Sequence, residues 1–269
     1  MKEALIGNLK ANLKFFKRNR LLLALLVLLI FIPALFSIPG FLMNSTGNRL
    51  KSVMFLYSEM SRFAWMIGAG SVLFFISHHL RNRSLKLVFT KPFTPEMWLL
   101  AGLGTSAALT LLVFLAVILI CEILFLLWNI SFQWGLLYMA FYDYSSSVML
   151  IFYMGFLAVI FHPAMAVLFA LIFQEGTFLF LKGVLKAAGG DAGGLSALLV
   201  KGIKAVVDLV YFVMPTFTPF EEHASKVHGS LRLEPGSFKY LLLSVNYAVV
   251  VSAAFFLLSA IFLKRKRLI

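Results

Sequence analysis

Met97–Cys121 reads MWLLAGLGTSAALTLLVFLAVILIC and contains no Asp, Glu, Lys or Arg. A helix needs about 20 mainly apolar residues to cross a bilayer core of about 30 Å. A charge at its middle costs about 2.5–3.5 kcal/mol on insertion scales. Three further stretches share this property: Leu21–Phe41, Phe63–Ser77 and Tyr144–Phe173. Charges left out so consistently mark a chain whose solvent is lipid.

The composition agrees. Of 269 residues, 61% are hydrophobic and 13% charged, against about 25% charged in soluble domains. The net charge of +13 sits mainly at the ends of apolar runs. That is the pattern of cytoplasmic anchoring by Lys and Arg rather than of nucleic-acid binding. The lone cysteine, Cys121, excludes an internal disulfide and a cysteine metal cluster.

The hydropathy pattern predicts an all-α polytopic membrane protein with a single domain over 1–269. Its six spans fall at about 21–42, 60–79, 97–120, 142–161, 164–181 and 240–263. Leu5, Leu9, Leu13 and Phe16 alternate at helical spacing with Lys10, Lys14 and Lys17, which predicts an N-terminal interfacial helix. The first apolar run is too long for a signal-peptide core and is read as a retained span. Residues 43–59 read as a polar loop. Ala64, Gly68 and Ser71 put small residues on one face of the second span, permitting close helix contact.

Residues 80–96 read as a short amphipathic helix, with Leu85, Val88 and Phe89 on one face and Arg83 and Lys86 on another. Pro92 stops it. Thr94-Pro95-Glu96 then caps and opens the third span. Asn129–Gln133 reads as a turn, and so does His162-Pro163. Within the long 182–239 connection, Ala187–Gly194 is glycine-rich. Leu195–Val213 is amphipathic, with Lys201, Lys204 and Asp208 along one stripe, and 195–217 is expected to lie on or dip into the outer face. Counting Lys and Arg puts both termini, the 80–96 connector and the 162–163 turn in the cytoplasm, in a cell (inner or plasma) membrane.

Glu122, Asp143 and Glu175 are the acidic residues nearest the membrane and the candidates for a substrate path. Alternatively they sit at the outer interface, or pair with Lys182 or a backbone group. His78 and His79 are adjacent, about 100° apart around a helix, and make a poor metal pair. Neither a metalloprotease pattern nor a nucleophile elbow is present. The glycines of 189–194 lack the Lys-Ser/Thr of a phosphate loop.

Three stretches resemble the six-span membrane subunit of type-2 ABC exporters, the ABC-2 permeases. They are Asn12–Arg20 (NLKFFKRNR), Asn82–Glu96 (NRSLKLVFTKPFTPE) and Leu209–Phe220 (LVYFVMPTFTPF), the last ahead of a final span with the basic tail Lys264–Arg267. The resemblance implies an exporter permease that couples ATP hydrolysis, carried out by separate cytoplasmic ABC ATPase subunits, to substrate translocation. It also implies pairing with a second copy or a paralogous permease. Arg83, Leu85, Lys86, Phe89, Lys91 and Pro92 would then form the coupling helix that seats in the ATPase. The chain itself would hold no cofactor, with ATP and Mg bound by the partner. A membrane-embedded enzyme using Glu122, Asp143, Glu175 or His162, or a membrane assembly scaffold, is the competing expectation.

Overall fold

The computed structural model describes Gly7, Lys14 and residues 49–81, 94–172, 175–190, 195–213, 216–217, 220, 224–228, 231–233 and 235–267. The expected first span at 21–42 lies outside these residues. So do Lys10, Lys17 and all six coupling-helix positions, Arg83, Leu85, Lys86, Phe89, Lys91 and Pro92. Lys14 is helical and exposed. The described chain is helical with irregular connections. Its helices are α1 (Arg49–Arg81), α2 (Pro95–Leu127), α3 (Trp134–Ile160), α4 (Pro163–Ile172), α5 (Glu175–Gly190), α6 (Leu195–Val213) and α7 (Ser237–Arg267).

Four of these, α1, α2, α3 and α7, are long and apolar enough to cross a membrane. The shortest, α3 with 27 residues, is about 40 Å long at about 1.5 Å per residue. Their exposed faces are what lipid requires. On α2, Leu112, Leu115, Leu119, Ile123 and Leu126 are 46–69% exposed. The opposite face, with Thr105, Ser106, Thr110, Val117 and Cys121, is buried. Large apolar side chains line the outside, while hydroxyl-bearing ones lie among the buried residues, which is the distribution expected where the surroundings are lipid. The chain is therefore a membrane-embedded, multi-helix protein.

The signals that open α2 act as expected. The Thr94 hydroxyl accepts the Met97 N–H at 3.4 Å, Pro95 is the first helical residue and Glu96 lies in the first turn. At the other end Asn129 adopts a left-handed φ of 55°. That lets the Ile130 N–H reach the Phe125 carbonyl (2.9 Å) and the Asn129 N–H reach that of Leu126 (3.1 Å). This is the paired closure of a Schellman motif, with Asn in the place usually held by glycine.

The small-residue face of α1 meets α2 and α3. Ala64 and Ser71 are buried. A β-carbon on Gly68 would lie 2.5 Å from Thr110 Oγ1 and 2.9 Å from Ile151 Cδ1, so glycine sets the approach of three helices. Toward the Arg81 end of α1, Phe75 stacks on Trp98, ring centres 5.1 Å apart. There the Lys264 ammonium of α7 pairs with the Glu96 carboxylate of α2.

Contacts between the helices fix their directions. Tyr57 meets Asp143 near the start of α1 and α3, and Gly68 meets Ile151 further along both. Tyr153 and Phe156 of α3 meet Phe255, and Phe156 also meets Phe262 of α7. Thus α1, α3 and α7 run one way and α2 the other. The chain leaves α3 at the Arg81 end and enters α7 at the Asn129 end, where Leu231 touches Gly135. Residues 161–236 therefore return across the bundle.

Several expected boundaries are corrected. Helix α1 begins at Arg49, so most of the 43–59 loop is helix. Val53, Leu56, Tyr57 and Met60 recur at helical spacing and are all buried. Helix α3 begins at Trp134, eight residues before position 142. Asp143 does not interrupt it, because Tyr57 satisfies the carboxylate. Helix α2 continues past 120 to Leu127, and α7 extends beyond 240–263 at both ends. The expected fifth span, 164–181, is occupied by α4 and α5, either side of 173–174. Helix α5 carries on to Gly190, making the first half of the glycine-rich stretch helical. Its packing partner is α6. Lys182 bridges the two helices, 3.0 Å from Asp208 Oδ1 and 3.6 Å from the centre of the Tyr211 ring. The amphipathic helix at Leu195–Val213 and the His162-Pro163 turn stand where the pattern put them.

Candidate functional site

Roughly two turns from the start of α1 and of α3, the Tyr57 hydroxyl donates to Asp143 Oδ2 at 2.7 Å. Tyr57 is almost fully buried, at 1% exposure. Its ring packs in the core while its hydroxyl reaches the carboxylate. Near Asp143 the α3 helix is rich in hydroxyls. Those of Ser145 and Ser147 donate to the carbonyls of Phe141 (2.7 Å) and Asp143 (2.8 Å), within their own helix.

The Asp143 side chain borders two cavities. One, of about 650 Å³, is lined by Tyr57, Ser58, Tyr142 and Met139 from the helices and by Ala224, Ser225 and His228 from the connection. The other, of about 400 Å³, is lined by Trp65, Met66, Phe114, Ser146 and Ser147. Ser61, Arg62 and Asp143 belong to both walls. The two spaces are adjoining chambers, the first lined about equally by polar and apolar surface, and so the more polar of the two, and the second mostly by apolar surface.

Arg62 stands at this junction with its side chain 72% exposed, and its guanidinium pairs with Glu59 at 3.1 Å, one turn earlier on α1. The cover over the polar chamber is held by Val227 and Leu231, which are 1% and 2% exposed. Aromatic packing continues beside it, with Phe217 5.4 Å from Tyr142 and Phe220 5.6 Å from Tyr247. Partial burial holds the His228 imidazole below its ordinary 6.5, so it is neutral at pH 7.

Of the two acidic candidates whose side chains are described, Asp143 lines these chambers and Glu122 does not. Glu122 sits near the end of α2, close to the Gln133 backbone. Its Oε1 is buried without a hydrogen-bond partner among the described residues. Glu175 opens α5, and its side chain lies outside the described residues. His162 is exposed at the opposite end of α3. Of the groups expected to converge in an embedded enzyme, Glu122, Asp143 and His162 are therefore not gathered around one cavity. His79 lies near the Arg81 end of α1, its Nδ1 2.8 Å from the Phe75 carbonyl and its ring 5.6 Å from Trp98.

Sequence reasoning missed Tyr57, Ser61, Arg62 and His228. The apolar spacing from Val53 to Met60 was the available signal for Tyr57, and it was hidden by the polar residues around it. Nothing local marks His228, which reaches the site through the tertiary fold. No protein family model, curated protein or solved structure matches this chain.

Proposed function

We propose that this chain is the membrane-spanning permease subunit of an ATP-driven exporter of the ABC-2 kind. The observation that carries this reading is the double chamber around the Asp143 carboxylate, in a bundle whose outer surface is apolar. An ionisable residue at such a depth is expensive to insert and marks a pathway or binding site by default. The chambers lie at the junction of α1 and α3, the kind of helix interface where substrates bind in membrane bundles.

The shared direction of α3 and α7 supports the six-span topology. An odd number of crossings must join two helices that enter from the same side, and α4 with α5 supplies one. Together with the apolar run at 21–42, the count becomes six. Both termini and the 80–96 connector then share the cytoplasmic face, where a motor can grip the basic segment containing Arg83 and Lys86. ATP-driven closure of two ATPase subunits would push that helix, tilt the spans and change access to the chambers. Such a switch needs a differential affinity of a few kcal/mol between its two states. The sequence carries no phosphate-loop pattern, and in this reading nucleotide hydrolysis falls to the partner subunits. Asp143 stands apart from Glu122 and His162, which weighs against an embedded enzyme.

Isolation of the full chain from its own membranes in mild detergent tests this. We expect a cytoplasmic ATPase in stoichiometric amount; a lone, catalytically active chain would overturn the reading. Reversing charge at Arg83 and Lys86 should leave the protein folded and ATP hydrolysis running while transport is lost. Transport at the wild-type rate in that variant would remove the coupling role.

A further inference from the structure

We propose that the paired chambers take a cationic amphiphile, with an ammonium-type head beside Asp143 and an apolar chain leaving past Trp65 and Met66. This deepens the transport reading by naming a substrate class, and it rests on that reading for the chambers' role.

The charge balance selects the sign of the head group. Arg62 is matched by Glu59 at 3.1 Å. His228 is neutral, and Tyr57 brings an uncharged donor to Asp143. Among the described residues Asp143 is the acid that lines the chambers, and no Lys or Arg of theirs pairs with it; a ligand cation supplies that partner. Tyr142 beside the polar chamber and Trp65 beside the other add aromatic rings, whose faces attract cations.

The shape selects an amphiphile. The polar chamber of about 650 Å³ suits a head group. The smaller space, about 400 Å³, has Trp65, Met66 and Phe114 in its wall. Met66 is 56% exposed and Trp65 36% exposed on the outer surface of α1. The smaller chamber thus borders the apolar face that lipid covers. A ligand with its head at Asp143 can keep its chain in hydrocarbon and lose little apolar burial on entry.

The test uses the full chain in phosphatidylcholine nanodiscs, with dodecyltrimethylammonium and dodecyl sulfate as probes. Binding is read from tryptophan fluorescence and from radiolabelled probe. We expect saturable binding of the cationic probe and at least tenfold weaker binding of the anionic one. Trp65→Phe should remove most of the fluorescence change while radiolabel binding persists. Asp143→Asn should weaken the cationic probe at least tenfold, about 1.4 kcal/mol. Ser61→Phe fills the junction of the two chambers while keeping Tyr57 and Asp143 themselves, and should also abolish binding. Equal affinity for both probes, or a folded Asp143→Asn protein that binds as wild type, overturns the proposal. If Asp143→Asn does not fold, unchanged binding by Ser61→Phe overturns it. No ATPase is present in this measurement. Absent binding in a chain that recovers its ATPase sinks the ligand class alone. Binding without any ATPase partner sinks the motor and leaves the ligand class standing.

Discussion

Gly135→Val should destabilise the protein by about 1–3 kcal/mol, the usual cost of forcing extra carbon into a packed site, and should loosen the cover of the polar chamber. Gly135 lies in the first turn of α3, where the chain of the cover crosses it. A β-carbon there would stand 2.1 Å from the Leu231 carbonyl oxygen and 2.4 Å from its carbon. Both are backbone atoms, so no side-chain rotation relieves the clash. Leu231 is itself fixed. Its side chain is 2% exposed, its φ is 52°, and its N–H donates to the Val227 carbonyl at 2.7 Å. Moving it drags the 224–228 turn that carries Ala224, Ser225 and His228. Gly104→Ala is the matched control. Its β-carbon meets open space, and the change should be neutral or stabilising by up to about 1 kcal/mol through helix propensity. Thermal unfolding in detergent separates the two. A Gly135→Val protein as stable as wild type would mean that the cover does not seat on α3.

The second large effect concerns the pair of buried Tyr57 and half-buried Asp143. Asp143→Leu strands the Tyr57 hydroxyl, and losing one partner of a buried hydrogen bond costs about 1–3 kcal/mol, more when the partner is charged. Tyr57→Phe leaves the carboxylate without its donor and should cost a similar amount. The double variant removes both polar groups and should recover part of the loss, because an apolar pair of similar shape replaces a desolvated one. A coupling energy of about 0.5–3 kcal/mol is therefore expected from the double-mutant cycle. Simple additivity would show that the 2.7 Å contact carries no net interaction. Recovery of stability together with loss of cation binding would identify a pair retained for function.

The membrane character and most helix positions were legible because hydropathy is a local property. The Thr94-Pro95-Glu96 opening of α2 and the 195–213 helix follow from capping and periodicity within a few residues. The start of α3 was not legible. Asp143 reads as an interruption until its partner is known, and that partner is 86 residues away. The first turns of α1 were obscured for a related reason. Arg49, Lys51, Ser58 and Glu59 dominate the local reading, while Val53, Leu56, Tyr57 and Met60 are buried only because α2 and α3 stand against them. Asp143 was singled out on charge and depth alone. The rest of the site, Tyr57, Ser61, Arg62 and His228, is assembled by packing, and pattern alone does not bring it together.

Cysteine accessibility tests the membrane topology most directly, since Cys121 is the chain's only cysteine and Cys121→Ala provides a cysteine-free background. Asn129→Cys and Leu233→Cys stand at one end of the bundle; His162→Cys and Arg265→Cys stand at the other, and all four positions are exposed. An impermeant maleimide applied to intact cells should label the first pair and spare the second until the membrane is opened. Labelling of all four in intact cells, or of only one member of the first pair, would contradict a bundle that crosses the bilayer with α3 and α7 entering from the same side.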